Sequence, residues 1–300
     1  MNRTLLFLLL TFSINFGMVG IYYAAGGRYD QLSGTILAVL YMFVPLVSVL
    51  VIEKVIHQEK ISKTLAISFK INRWFFIAWI IPAVMGFITL GISLLWPDVH
   101  YSPQMSGMIK RFEDTLSPEK IQQMKQVAET LPVHPIWLSL VQGLIAGVTI
   151  NAVAAFGEEL GWRGFLIKQF RNMHFYQAAL IIGFIWGIWH APLILMGHNY
   201  PQHTQLGVLM MTMWCILLTF LFNYVRIKAR SVIAASIMHG TLNGTAGIAI
   251  IVIAGGSDLI TGITGLAGML TLLLILVGIF IYDRGISREN IMTNRLNHFL

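Results

Sequence analysis

Residues 136–168 read IWLSLVQGLIAGVTINAVAAFGEELGWRGFLIK, and the first charged side chain in that stretch is Glu158. An apolar run of about 18 residues or more reads as a membrane span, so Ile136 to about Leu166 is expected to be a transmembrane helix with carboxylates inside it. The rest of the chain repeats the pattern, with runs at roughly Thr4 to Ala25, Gly34 to Ile52, Trp74 to Trp96, Gln177 to Met196, Leu206 to Val225, Val232 to Ala254 and Leu259 to Tyr282. The expected fold is all-α, a polytopic transmembrane helical bundle of about eight spans. It forms a single integral membrane domain over 1–300, with the chemistry in a core over 136–254.

Composition points the same way. The chain is 56% hydrophobic and 11% charged, where a soluble domain carries about 25% charged residues. The lone Cys215, inside an apolar run, excludes a disulfide framework or a cysteine zinc site. A net charge of +7 does not indicate nucleic acid, because Lys and Arg cluster between apolar runs and form no aromatic-interleaved basic surface. Lys54 to Arg73 follow the second run, Lys168 and Arg171 the fourth, and Arg226, Lys228 and Arg230 the sixth. With Arg3 and the tail residues Arg284, Arg288 and Arg295, all fall on one side of an eight-span layout. The positive-inside rule makes that side cytoplasmic, with both termini on it. The compact design, without a eukaryotic targeting sequence, points to a bacterial plasma membrane.

The run after Arg3 is read as a span rather than a cleaved leader, since it is long enough to cross the bilayer. Segment 97–135 is expected to be an external connector carrying a surface helix. Ser117-Pro118-Glu119 supplies a serine N-cap before proline at the first helical position, and the helix should run to about Leu131.

Ionisable side chains in a span are costly and mark function. Here they are Glu158, Glu159, Arg163, His190 and His239, joined by the amide Asn243. At 1.5 Å per residue, Glu158 lies about 15 Å from Lys168, His239 about 12 Å and Asn243 about 18 Å from Ser231, and His190 about 20 Å from Tyr176. All can meet at one level. Adjacent carboxylates point about 100° apart on a helix, so Glu158 and Glu159 should do different jobs. Glu159 and Arg163, spaced i,i+4 with the acid first, form a structural ion pair. That leaves Glu158 as the general base for water. His239 and Asn243 share a helix face and can both donate to a developing oxyanion. His190 can orient the water or shuttle its proton. Trp162, Trp186 and Trp189 read as packing residues.

A zinc site of Glu158, His190 and His239 is the competing chemistry. The HExxH pattern is absent, Asn243 is a poor zinc ligand, and the sequence identifies no carbonyl or carboxylate partner for His190. A metal-free site is therefore favoured.

Three blocks carry a family resemblance: Glu158-Glu159-Leu160-Gly161-Trp162-Arg163, then Trp186-Gly187-Ile188-Trp189-His190, then His239-Gly240-Thr241-Leu242-Asn243. They resemble the CPBP family, the intramembrane CAAX proteases and bacteriocin-processing enzymes, which includes the Ras-converting endopeptidase. Trp186 stands where that family usually has Phe. The resemblance implies an eight-span intramembrane endopeptidase in which Glu158 and His190 activate water and His239 with Asn243 forms the oxyanion hole. The expected partners are the lipid bilayer and a membrane-associated peptide or protein tail, reached from the cytoplasmic half of the bilayer. Two other classes compete: a proton-coupled transporter using the same residues as a path, and a non-catalytic membrane partner that keeps the protease fold.

Overall fold

The computed structural model describes residues 2–113, 117–130 and 132–300. Helix α1 (Arg3–Ala24) buries Phe7, Thr11, Asn15 and Val19, a stripe at i,i+4 spacing that faces the other helices. Phe7 packs against Trp162 and Phe165, with ring centroids 5.6 and 5.0 Å away. Helix α2 (Leu32–Leu50) runs on as a π-helical turn to Ile56, and a one-turn α3 (Ile61–Thr64) leads into α4 (Arg73–Ser93).

The connector then holds a two-residue strand β1 (His100–Tyr101), α5 (Ser106–Phe112) and α6 (Pro118–Thr130). Helix α6 starts at the proline, as the Ser-Pro pair predicts; the predicted end at Leu131 lies outside the described residues. Next come α7 (Pro135–Val148) and α8 (Ile150–Glu159), the latter continued by a π-helical turn (Leu160–Leu166) and a short α9 (Ile167–Gln169). Helices α10 (Phe175–Trp189), α11 (Ala191–Leu195), α12 (Thr204–Ala229) and α13 (Val232–Thr245) follow. Strand β2 (Ile253–Ala254) and α14 (Leu266–Ile281) complete the order.

Among the described residues, five helices are long and apolar enough to cross a membrane by themselves. Three of the eight predicted spans are broken, and these three carry the polar residues. The run from Ile136 splits at Thr149, where ψ is −107°. There the hydroxyl donates back to the Ile145 carbonyl at 2.7 Å, a contact that bends helices. The run from Gln177 breaks at His190, two residues before Pro192; proline lacks an N–H and its ring clashes with the carbonyl four residues back. The run from Val232 ends as helix at Thr245, tightens to a 3-10 turn, and extends at Ile253–Ala254 to pair antiparallel with His100–Tyr101. The last run becomes helical at Leu266 rather than Leu259, because Gly262 holds a left-handed φ of +87°.

Part of the basic set gathers on one face. Arg3 bonds Glu53 at 3.2 Å and Glu59 at 2.8 Å, and Lys168 reaches Glu53 at 3.4 Å. This ties the start of α1, the end of α2 and the end of the α8–α9 run together.

Candidate active site

Helix α8 delivers both carboxylates to the bundle centre. Gly157 presses it onto α2, where a Cβ would lie 2.5 Å from the Met42 carbonyl oxygen. Helix α13 meets α8 at Gly240, where a Cβ would sit 2.5 Å from the Ala152 nitrogen. Main-chain contact of this kind is how small residues let helices approach closely. It brings His239 to Glu159.

Glu159 is fully buried and its Oε1 receives two bonds, from Arg163 Nη1 at 3.1 Å and from His239 Nδ1 at 2.9 Å. The i,i+4 ion pair expected from the sequence is therefore present, and it also holds a histidine. Arg163 donates to Thr219 Oγ1 at 3.0 Å and lies over the Trp186 ring, 4.1 Å from its centroid, within cation–π range.

Glu158, the other carboxylate, accepts a 2.8 Å hydrogen bond at Oε2 from the Trp186 indole N–H. Trp186 is thus more than packing, a correction to the sequence reading that no hydropathy signal carries. His190, at the break before Pro192, places Nδ1 2.8 Å from the Trp186 carbonyl oxygen. A carbonyl only accepts, so Nδ1 carries a proton, which in the neutral imidazole leaves Nε2 its lone pair. This is the His190 partner that the sequence did not reveal. Behind it, Asn15 bonds the Tyr41 carbonyl at 3.0 Å and receives the Trp189 N–H at 2.8 Å, while the Tyr41 hydroxyl donates to the Trp189 carbonyl at 2.6 Å. Asn15 and Tyr41 also escaped the sequence reading; the only signal for Asn15 was an amide in the first apolar run.

Glu158, His190, His239 and Asn243 line one cavity of about 240 Å³. At about 30 Å³ per water, it has room for a water beside a peptide group. Glu159 and Arg163 stand behind its wall. The cavity adjoins a groove of about 760 Å³, and Asn199, Ala246, Ile263 and Thr264 line both. The groove runs between the 27–30 loop and the turn after α11, on the face opposite the basic loops. The helix ends that form the groove are those away from Arg3, Lys168 and Arg230, whereas the sequence reading expects entry from the side that carries those basic residues. At the cavity mouth the Tyr29 hydroxyl and His198 Nδ1 lie 2.5 Å apart. Burial pushes the His198 imidazole down to about 4 and the Tyr29 phenol up to about 12.

Glu158, His190 and His239 share the cavity, but among the described residues no three His, Cys, Asp or Glu side chains are arranged to hold a metal ion.

Residues 133–245 match the family model described as type II CAAX prenyl endopeptidase Rce1-like. Over 133–245 the chain resembles the CAAX protease family, and all six polar residues of the site lie inside the matched segment. CAAX prenyl protease 2 of Methanococcus maripaludis (strain DSM 14266 / S2) is 31% identical over 101 residues, which are 30% of this chain. The similarity spans 36% of that protein's length, so the chain matches about a third of the curated relative.

Proposed function

We propose that this chain is an intramembrane endopeptidase that hydrolyses a peptide bond in a membrane-associated peptide or protein tail. The observation that carries the reading is that Glu158 and His190, whose Nδ1 meets the Trp186 carbonyl, line the same cavity as His239 and Asn243.

In this reading Glu158 takes a proton from water while His190 Nε2 orients it, and the hydroxide attacks the peptide carbonyl carbon. With Glu159 accepting from Nδ1, His239 in its imidazolium form presents Nε2–H to the cavity. That hydrogen and the Asn243 amide stabilise the oxyanion. Two carboxylates, one guanidinium and one imidazolium then balance in charge, which a low-dielectric interior demands. Collapse of the tetrahedral intermediate breaks the C–N bond, and the proton held by Glu158 passes to the leaving amine. No step is routed through a metal. The apolar groove beside the cavity would take the substrate's flanking chain. If the basic face is cytoplasmic by the positive-inside rule, the substrate enters from the opposite side of a bacterial plasma membrane.

The test is cleavage of a labelled peptide library, with and without lipid modification, by detergent-purified protein. The expected outcome is cleavage that is abolished in Glu158→Ala and His239→Ala at unchanged Tm and is insensitive to chelator. Loss on chelation would replace the mechanism with a zinc one. Wild-type protein that cleaves nothing would move the reading to a silent partner or a transporter.

A further inference from the structure

The basic face holds a second cavity, of about 1200 Å³, that the hydrolytic reading does not use. Seven Lys and Arg side chains line it against one glutamate, Glu289. Two of the cations are already paired: Lys168 with Glu53 and Glu59, and Lys228 with Glu289. Lys63, Arg73, Arg171, Arg226 and Arg230 have no carboxylate partner among the described residues.

Arg226 separates this cavity from an ordinary basic loop surface. Its side chain is only 4% exposed, and its one hydrogen-bonded partner among the described residues is the Arg163 carbonyl, 3.1 Å from Nε. A buried guanidinium without an anion is costly, and the missing anion has a cavity to occupy. Four of the five unpaired cations are arginines, whose planar fork matches phosphate oxygens. Trp74, Ile227 and Phe299 add an apolar wall, and the volume far exceeds a free phosphate. Basic clusters beside the ends of spans attract anionic headgroups.

We propose that this cavity binds a phosphate group carried by an anionic phospholipid, with Arg226 as its anchor. The proposal is independent of the proteolytic reading, although it reaches the same network: Arg226 holds the carbonyl of Arg163, and Arg163 holds Glu159.

The experiment is native mass spectrometry of the full chain in detergent, titrated with phosphatidylglycerol and with phosphatidylcholine of the same acyl chains. Phosphatidylglycerol should bind at least tenfold more tightly, and that preference should fall at least tenfold in Arg226→Gln. The double variant Arg171→Ala/Arg230→Ala changes only exposed side chains, so it tests the site even if Arg226→Gln does not fold, and it should show the same loss. Inorganic phosphate is the third arm. Displacement of phosphatidylglycerol only at far higher phosphate concentration supports the lipid source, whereas equal affinity supports the anion site with a soluble phosphate as its ligand. Equal binding of the two lipids, or undiminished phosphatidylglycerol binding in the double variant, overturns the proposal.

Discussion

The indole N–H of Trp186 points at Glu158 Oε2 from 2.8 Å, while the main-chain carbonyl of the same residue holds His190 Nδ1 at the same distance. One residue thus orients both groups proposed to activate water. We predict that Trp186→Phe keeps the ring packing but loses the donor. The family that the sequence resembles usually carries Phe here, so the variant should stay active; a hydrogen bond to a charged group contributes about 1.5–3 kcal/mol, which limits the fall in cleavage to at most roughly 100-fold, with Tm little changed. Initial rates on one cleavable peptide decide it, and an undiminished rate would remove Trp186 from the mechanism.

Glu159 and Arg163 are both fully buried. Removing only one of them strands a charge in the bundle, at a cost of about 3–5 kcal/mol. Glu159→Gln is therefore expected to lower the unfolding midpoint sharply, whereas Glu159→Gln/Arg163→Met should recover much of the loss while staying inactive. Thermal melts in detergent report the first effect and peptide cleavage the second; full stability in the single variant contradicts the coupling.

Gly240 and Gly20 make a matched pair. An added Cβ at Gly240 meets the Ala152 nitrogen at 2.5 Å, while at Gly20 it meets nothing within 4 Å. Gly240→Ala should destabilise by about 1–3 kcal/mol or more through overpacking and cut activity with it. Gly20→Ala, in the interior of α1, should be neutral or stabilising by up to about 1 kcal/mol. Similar melting curves for the two variants would mean that α13 does not need this close approach.

The pair Tyr29 and His198 is expected to make the cavity mouth sensitive to acid. His198 is depressed to about 4 by burial, so its contribution is complete above the unfolded value near 6.5. It is lost as pH falls through the folded value. Tyr29, raised to about 12, acts at the other end: its contribution is complete below the phenol's ordinary value near 10 and fades as pH rises toward 12. Hydrogen exchange over residues 25–31, corrected for intrinsic rates, should accelerate between pH 6.5 and 4 in wild type and stay flat in His198→Gln. Matching profiles would show that His198 does not carry the acid response of the mouth.

The apolar runs were legible because hydropathy is a property of composition, and the polar site residues stood out because ionisable groups are rare among them. The helix breaks divide into two kinds. Pro192 announces the one at His190, since the missing N–H is written in the sequence. Those at Thr149 and Thr245 depend on a back-bonded hydroxyl and on a distant strand partner at His100–Tyr101, which no local window contains. The gathering of Glu158, His190, His239 and Asn243 into one cavity followed from depth arithmetic. The direction in which that cavity opens did not, because it depends on the turn after α11 and on residues 263–264. Trp186 and Tyr41 look like any aromatic packing residues until their N–H and O–H partners are seen.

The helices bearing the carboxylates and the histidine–amide pair touch main chain to main chain at Gly240. The separation of their functional groups is consequently fixed by backbone geometry and owes little to the shape of neighbouring side chains. Ala38 and Asn199 line the cavity without belonging to the buried core, so they can vary while the reactive groups keep their spacing, and on the proposed reading such changes would retune which peptide enters.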